Sequence, residues 1–143
     1  MAKCSSCSPA GNIFFCTINA SGLHHSFDDK PAVMYNSGEV HWRFNGELHR
    51  VKGPAIDSRA GFSVWFHCGL RHRLDGPSTI FPGSRKDEWH FLDREAIPID
   101  DNQEIIIGKS IEMNNNIGTV LKHIEGLFYE VLLGNKKVLV AKV

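Results

Sequence analysis

Residues Trp42-Arg-Phe-Asn-Gly46-Glu-Leu-His49-Arg50-Val-Lys-Gly53-Pro54 realign with Trp65-Phe-His-Cys-Gly69-Leu-Arg-His72-Arg73-Leu-Asp-Gly76-Pro77 at an offset of 23. Six positions are identical: the Trp, the Gly four residues later, the His-Arg pair and the Gly-Pro pair. Self-similarity at a fixed period of roughly 20–50 residues is the signature of stacked repeat units. A looser copy precedes these two, on Ile18, Gly22, His25 and Pro31-Ala32, with one more residue between its His and its Pro. A decayed copy follows, from Trp89 to Ile97-Pro98. The chain therefore holds four units between about residues 13 and 98.

Each unit reads as strand, tight turn, strand. Val40, Trp42 and Phe44 alternate with Glu39, His41 and Arg43, which predicts a half-buried strand with its aromatics on the core face and His and Arg in water. Asn45-Gly46 then suits a two-residue hairpin turn, because both central positions need positive φ. Gly53-Pro54 and Asp75-Gly76-Pro77 supply the next reversal, since Pro fixes φ and lacks a ladder donor. Phe62, Val64, Trp65 and Phe66 place apolar groups on both faces, which predicts a strand covered on both sides.

Beyond Pro98 the pattern changes. Asp100-Asp101-Asn102-Gln103-Glu104 is an acidic linker, and all seven arginines lie before it, between Arg43 and Arg94. The organisation expected is a hairpin-repeat region over 1–99 and a small β unit over 104–143. In the second unit, β-runs at Ile105–Ile107, Gly118–Ile124, Leu127–Leu133 and Lys136–Val143 are separated by turns at 114–116, Glu125-Gly126 and Gly134-Asn135. Short strands leave costly open edges, so closure into a small barrel is expected. No segment has a helical period. The fold class is all-β.

The unit Trp-x3-Gly-x2-His-Arg-x2-Gly-Pro resembles the MORN family of β-hairpin repeats in its variant form, most closely over 38–80. That resemblance implies an elongated antiparallel meander serving as an interaction platform, with the degraded first and fourth units as caps. Units of this His-Arg-x-Asp-Gly-Pro type are also similar to those of bacteriophage and large-virus proteins. This implies a viral accessory protein that occludes, and inhibits or redirects, a host protein. The tail resembles an SH3-like barrel of the KOW type, on Gly118-Thr119-Val120, Tyr129-Glu130-Val131 and Val138-Leu139-Val140.

Composition narrows the classes. With 143 residues, 16 Lys+Arg against 16 Asp+Glu and 42% hydrophobic residues, the chain is an ordinary globular one with no global basic field for nucleic acid or an anionic membrane. No apolar run approaches the roughly 18 residues that span a bilayer, and the Met1-Ala2-Lys3-Cys4 start lacks a signal-peptide core, so a cytoplasmic protein, in the host cytoplasm if viral, is expected. Thiols or metal ligands are then expected of the four cysteines rather than a disulfide framework. Cys4-x2-Cys7, Cys16 and His24 (or His25) have the donor types of one structural zinc site. The alternative leaves Cys4 and Cys7 on a loose terminus and buries Cys16 as a small hydrophobe beside Phe14 and Phe15.

His49 or His72 as a base and Arg50 or Arg73 as an anion clamp would serve an enzyme. A catalytic group is needed once, however, and these recur at the repeat period, where bonding to loop carbonyls or Asp75 is the simpler role. The reading is therefore a non-enzymatic protein-binding module with Arg50, Trp65, Arg71, His72 and Arg73 as partner contacts. Interleaved arginines and aromatics make nucleic-acid binding the alternative. A ligand-sequestering protein or hydrolase stands third, and self-association through an edge such as Ile105–Ile107 is open.

Overall fold

The computed structural model describes residues 12–100 and 102–143, together with the backbone of Ala2 and Lys3. Among these residues the chain forms strands and turns and no helix, so nothing in it is a helix long and apolar enough to cross a membrane. The fold is all-β, as expected. In the repeat region the strands are β1 (Ala2–Lys3), β2 (Ile13–Ile18), β3 (Val33–Tyr35), β4 (Val40–His41), β5 (Arg43–Phe44), β6 (Glu47–Leu48), β7 (Ile56–Asp57), β8 (Ser63–Val64), β9 (Phe66–His67), β10 (Leu70–Arg71) and β11 (Thr79–Ile80). Then follow β12 (Trp89–Phe91), β13 (Arg94–Ile99), β14 (Ser110–Met113), β15 (Asn116–Glu125), β16 (Phe128–Leu133) and β17 (Lys136–Lys142).

The continuous strand expected across Val40–Phe44 is instead broken at Trp42. Val40 and His41 belong to a seven-stranded sheet in the order β1-β2-β3-β4-β7-β8-β11, whereas Arg43 and Phe44 pair with Glu47 and Leu48 in a separate hairpin. The following unit repeats the break at Trp65, with Ser63–Val64 in the large sheet and Phe66–His67 in the β9–β10 hairpin. At each break the Trp amide donates 2.7 Å to the carbonyl of a buried small residue on the returning segment, Trp42 to Ala55 and Trp65 to Ser78. The bend resets the inside–outside alternation. Both His41 and Trp42 are buried, while Phe44, expected in the core, is 52% exposed. Of the strand expected to be covered on both faces, Val64 is buried and Phe62, Trp65 and Phe66 are half-buried.

The turns follow their residues. Asn45 and Gly46 both take positive φ (48° and 88°), as a two-residue hairpin of this twist requires. Cys68-Gly69 and Leu92-Asp93 occupy the same place in the next two units, also with positive φ throughout.

After β11 the chain enters a six-stranded sheet ordered β12-β13-β17-β16-β15-β14. Its one parallel joint sets Ile97 and Ile99 of β13 beside Val140 and Lys142 of β17. The fourth hairpin, β12–β13, is thus shared between the repeat series and the tail. Trp89 there joins a cluster with Phe128 and Leu139, which explains why this copy has drifted from the others: its Trp serves a different core. Ile99, Ile111, Met113, Val120, Val131 and Val140 form the main tail core. In this pairing β12 and β14 are the edges, and irregular register between Val120 and Lys122 and between His123 and Glu125 bends β15. Ile105–Ile107 forms no strand. Ile105 packs onto the tail core, Ile106 and Ile107 stay exposed, and a turn at Gly108 returns the chain to Val120.

Candidate functional site

The six repeated residues make one structural device. The Arg50 guanidinium lies 3.7 Å from the Trp42 ring centroid, and that of Arg73 lies 3.9 Å from the Trp65 ring. Each also donates through Nη1 to the carbonyl of the repeated Pro, Arg50 to Pro54 (3.3 Å) and Arg73 to Pro77 (3.1 Å). The repeated Gly just before that Pro leaves the room this needs. A β-carbon on Gly53 would stand 3.0 Å from Arg50 Nη1, and one on Gly76 only 2.7 Å from Arg73 Cζ. Carboxylates complete the device: Asp29 receives Arg50 through both oxygens, at 3.0 and 3.1 Å, and Asp75 receives Arg73 at 3.0 Å. Asp29 is held below its ordinary pKa by the hydrogen bonds from Arg50.

The repeated histidines stitch one unit to the next. Nδ1 of His25 accepts from the Asn45 amide (3.1 Å), Nδ1 of His49 from the Cys68 amide (3.0 Å), and Nδ1 of His72 from the Leu92 amide (3.0 Å). Their rings also stack into a column with the residue two places after each Trp. Along it run His25, Phe44, His49, His67, His72, Phe91 and Phe128, with successive centroids 4.8 to 6.0 Å apart. Burial lowers the pKa of His49 and His72, and the positive form of neighbouring His67 would lower both further.

A groove of about 790 Å³ opens between the Arg50–Pro54 and Arg73–Asp75 loops. Four of the five residues proposed as contacts line it: Arg50, Trp65, His72 and Arg73. Arg71 is elsewhere, engaged by Asp93 at 2.9 Å and Glu88 at 3.8 Å. Sequence reasoning missed His67, Phe91, Leu92, Val51 and Lys52 on the same walls, and Glu125 contributed by the tail. His67 and Phe91 were within reach, since both occupy the position of Phe44 after the repeated Trp. Glu125 had no such signal. One unit earlier a smaller groove of about 480 Å³ is lined by Phe44, His49, Val51 and Lys52, on the other side of the same Arg50–Pro54 loop. Val51 is 87% exposed between the two.

Of the expected zinc ligands, Cys4 and Cys7 lie outside the described residues. Cys16 is fully buried and disulfide-bonded, a state in which its sulfur offers no thiolate. His24 is half-buried, and burial, then Arg43, lowers its pKa. Cys68 is a free, exposed thiol.

No family model, curated protein or solved structure matches the chain.

Proposed function

We propose that the chain is a non-enzymatic binding module whose repeat grooves take an extended polypeptide segment. The observation that carries this reading is the pair of equivalent grooves on either side of the Arg50–Pro54 loop, floored by ring-column residues and rimmed by exposed Val51 and Leu92. Each unit adds two strands to the large sheet, so the grooves repeat about every 10 Å at the usual strand spacing. A segment in the polyproline II conformation covers that distance in about three residues, one full turn, so that side chains three apart face the same side. The segment that fits carries apolar anchors at i and i+3.

The charge arrangement supports a polypeptide over a nucleic acid. Arg50, Arg71 and Arg73, the guanidiniums that would neutralise phosphates, already face Asp29, Asp93 and Asp75. His49 and His72 perform the same stitching role in successive units, which supports a structural rather than a catalytic use.

The test is to pan a random peptide library against the full chain and titrate an enriched peptide by fluorescence anisotropy. Enriched peptides should share the i, i+3 anchors. Val51→Asp and Leu92→Asp should each weaken binding at least tenfold with an unchanged melting curve, while Lys137→Ala leaves affinity as it was. Peptides that bind Val51→Asp and Leu92→Asp as tightly as the parent protein, or a library that enriches nothing, would refute the reading.

A further inference from the structure

The middle hairpin departs from its neighbours in a chemically coherent way. After the repeated Trp, the second unit has Phe44-Asn45 and the fourth has Phe91-Leu92, but the third has His67-Cys68. Two metal-binding side chains therefore enter together in one unit. They enter beside His49, which the stitching between units delivers to the Cys68 turn. One donor atom from each of His49, His67 and Cys68 lies within 4.8 Å of the other two.

We infer that His49, His67 and Cys68 form a binding site for a borderline-soft divalent transition metal of the zinc type. Two imidazoles and a thiolate are the donors such ions prefer over the oxygen ligands that suit magnesium or calcium. Donors in a tetrahedral zinc site stand roughly 3.3–3.8 Å apart, as follows from zinc–nitrogen and zinc–sulfur bond lengths. His49 Nδ1 and Cys68 Sγ are already 3.8 Å apart. The widest pair must close by about 1 Å, which the exposed side chains of His67 and Cys68 can supply by rotation.

The tautomer of His49 is set for this. Its Nδ1 accepts the Cys68 amide, so that nitrogen carries a lone pair rather than a proton, aimed at the turn that holds the thiol. On binding, the metal takes the lone pair and the amide, on an exposed turn, passes to water. Glu47 sits against the same turn, its carboxyl carbon 3.9 Å from where a β-carbon on Gly69 would stand, and it or a water completes the fourth position. The site is distinct from the Cys4, Cys7, Cys16 and His24 set read from the sequence.

Cobalt(II) tests the inference, because a thiolate ligand gives a near-ultraviolet charge-transfer band and tetrahedral coordination gives strong visible bands. The full chain is titrated anaerobically without reductant, which leaves the Cys16 disulfide closed. We expect one equivalent of cobalt with a thiolate band, displaced by zinc, and a zinc-dependent rise in melting temperature. His67→Phe and Cys68→Asn install the residues that the second unit carries at these places, so the metal-free fold is retained. Each should weaken cobalt binding at least a hundredfold and abolish the zinc-dependent rise. Should Cys68→Asn alter the metal-free melting curve, Cys68→Ser is read in its place. No thiolate band in the parent protein, or a band that survives in both variants, overturns the site.

Discussion

Gly76→Ala isolates the repeated Trp-Arg-Gly-Pro device. The added β-carbon would meet Arg73 at 2.7 Å from Cζ and 3.0 Å from Nε and Nη1, so the guanidinium must leave its place over Trp65. Moving a flexible side chain is cheap in itself; what is lost is what the group was bonded to. Stacking on a half-buried Trp is worth about 1 kcal/mol. The charge-assisted bond to the Pro77 carbonyl contributes about 1.5 kcal/mol. The ion pair with Asp75 contributes almost nothing, because Asp75 is 85% exposed. Gly76 does not use a left-handed φ, so alanine also restricts the unfolded chain and returns about 0.7 kcal/mol. The net loss is about 2 kcal/mol, a fall in Tm of about 6 °C for a domain of this size. In an Arg73→Ala background the three atoms nearest the added β-carbon are gone, and the same Gly76→Ala change should stabilise by about 0.5–1 kcal/mol. Urea denaturation of the four proteins of this cycle measures both values. A Gly76→Ala penalty of the same size and sign in both backgrounds would refute the argument that this glycine exists to admit the arginine.

Three further outcomes follow from the same geometry. His25→Ala and His72→Ala each leave one turn amide without its side-chain acceptor and remove a ring from the column, so both should cost about 1–2 kcal/mol in chemical denaturation. A large difference between them would show that the two are not equivalent stitches. Burial lowers the pKa of His41, His72 and His90 below the ordinary 6.5, and for His41 this outweighs the opposing pull of Glu39 at 2.6 Å. The unfolded chain then takes up protons that the folded chain refuses. Stability should be flat above pH 6.5 and fall as the pH drops through the lowered folded values; stability that rises between pH 7.5 and 5.5 contradicts the assignment. In the tail, a β-carbon on Gly118 would lie 2.5 Å from Val131 Cγ1 and 3.1 Å from the Leu132 carbonyl oxygen, a strand that cannot swing aside. Gly118→Ala should therefore cost about 1–3 kcal/mol by thermal melting, and a neutral result would mean that β15 and β16 are not packed this closely.

Much of the repeat region was legible because its residues act locally. Asn45-Gly46 calls for positive φ at both positions, and the chain gives it. The recurrence of His49-Arg50 at His72-Arg73 pointed to turn architecture, and Arg73 does bond Asp75 and the Pro77 carbonyl. The break at Trp42 was not legible, since alternation over Val40–Phe44 reads the same whether one sheet continues or the chain passes to a second. The break lies where the Trp42 amide still donates to Ala55 of the large sheet while its carbonyl accepts from His49 beside the hairpin, partners thirteen and seven residues away in sequence. Ile105–Ile107 shows the same limit: a β-branched run makes a strand only where a neighbouring edge is free to pair with it.

The sequence by itself determined the all-β class, the period of the units, the turn positions and the bonding of Arg50 and Arg73 to the carbonyls of their own turns, because these depend on φ preferences and on groups a few residues apart. Tertiary structure decided the rest. It joined β13 to β17, drew Trp89 into the tail core, aligned rings from successive units in one column, brought Glu125 to the groove, and set His49 beside Cys68. Each of these depends on which strands lie next to one another, a choice made by burial and hydrogen bonding over the whole chain rather than by any one stretch of it.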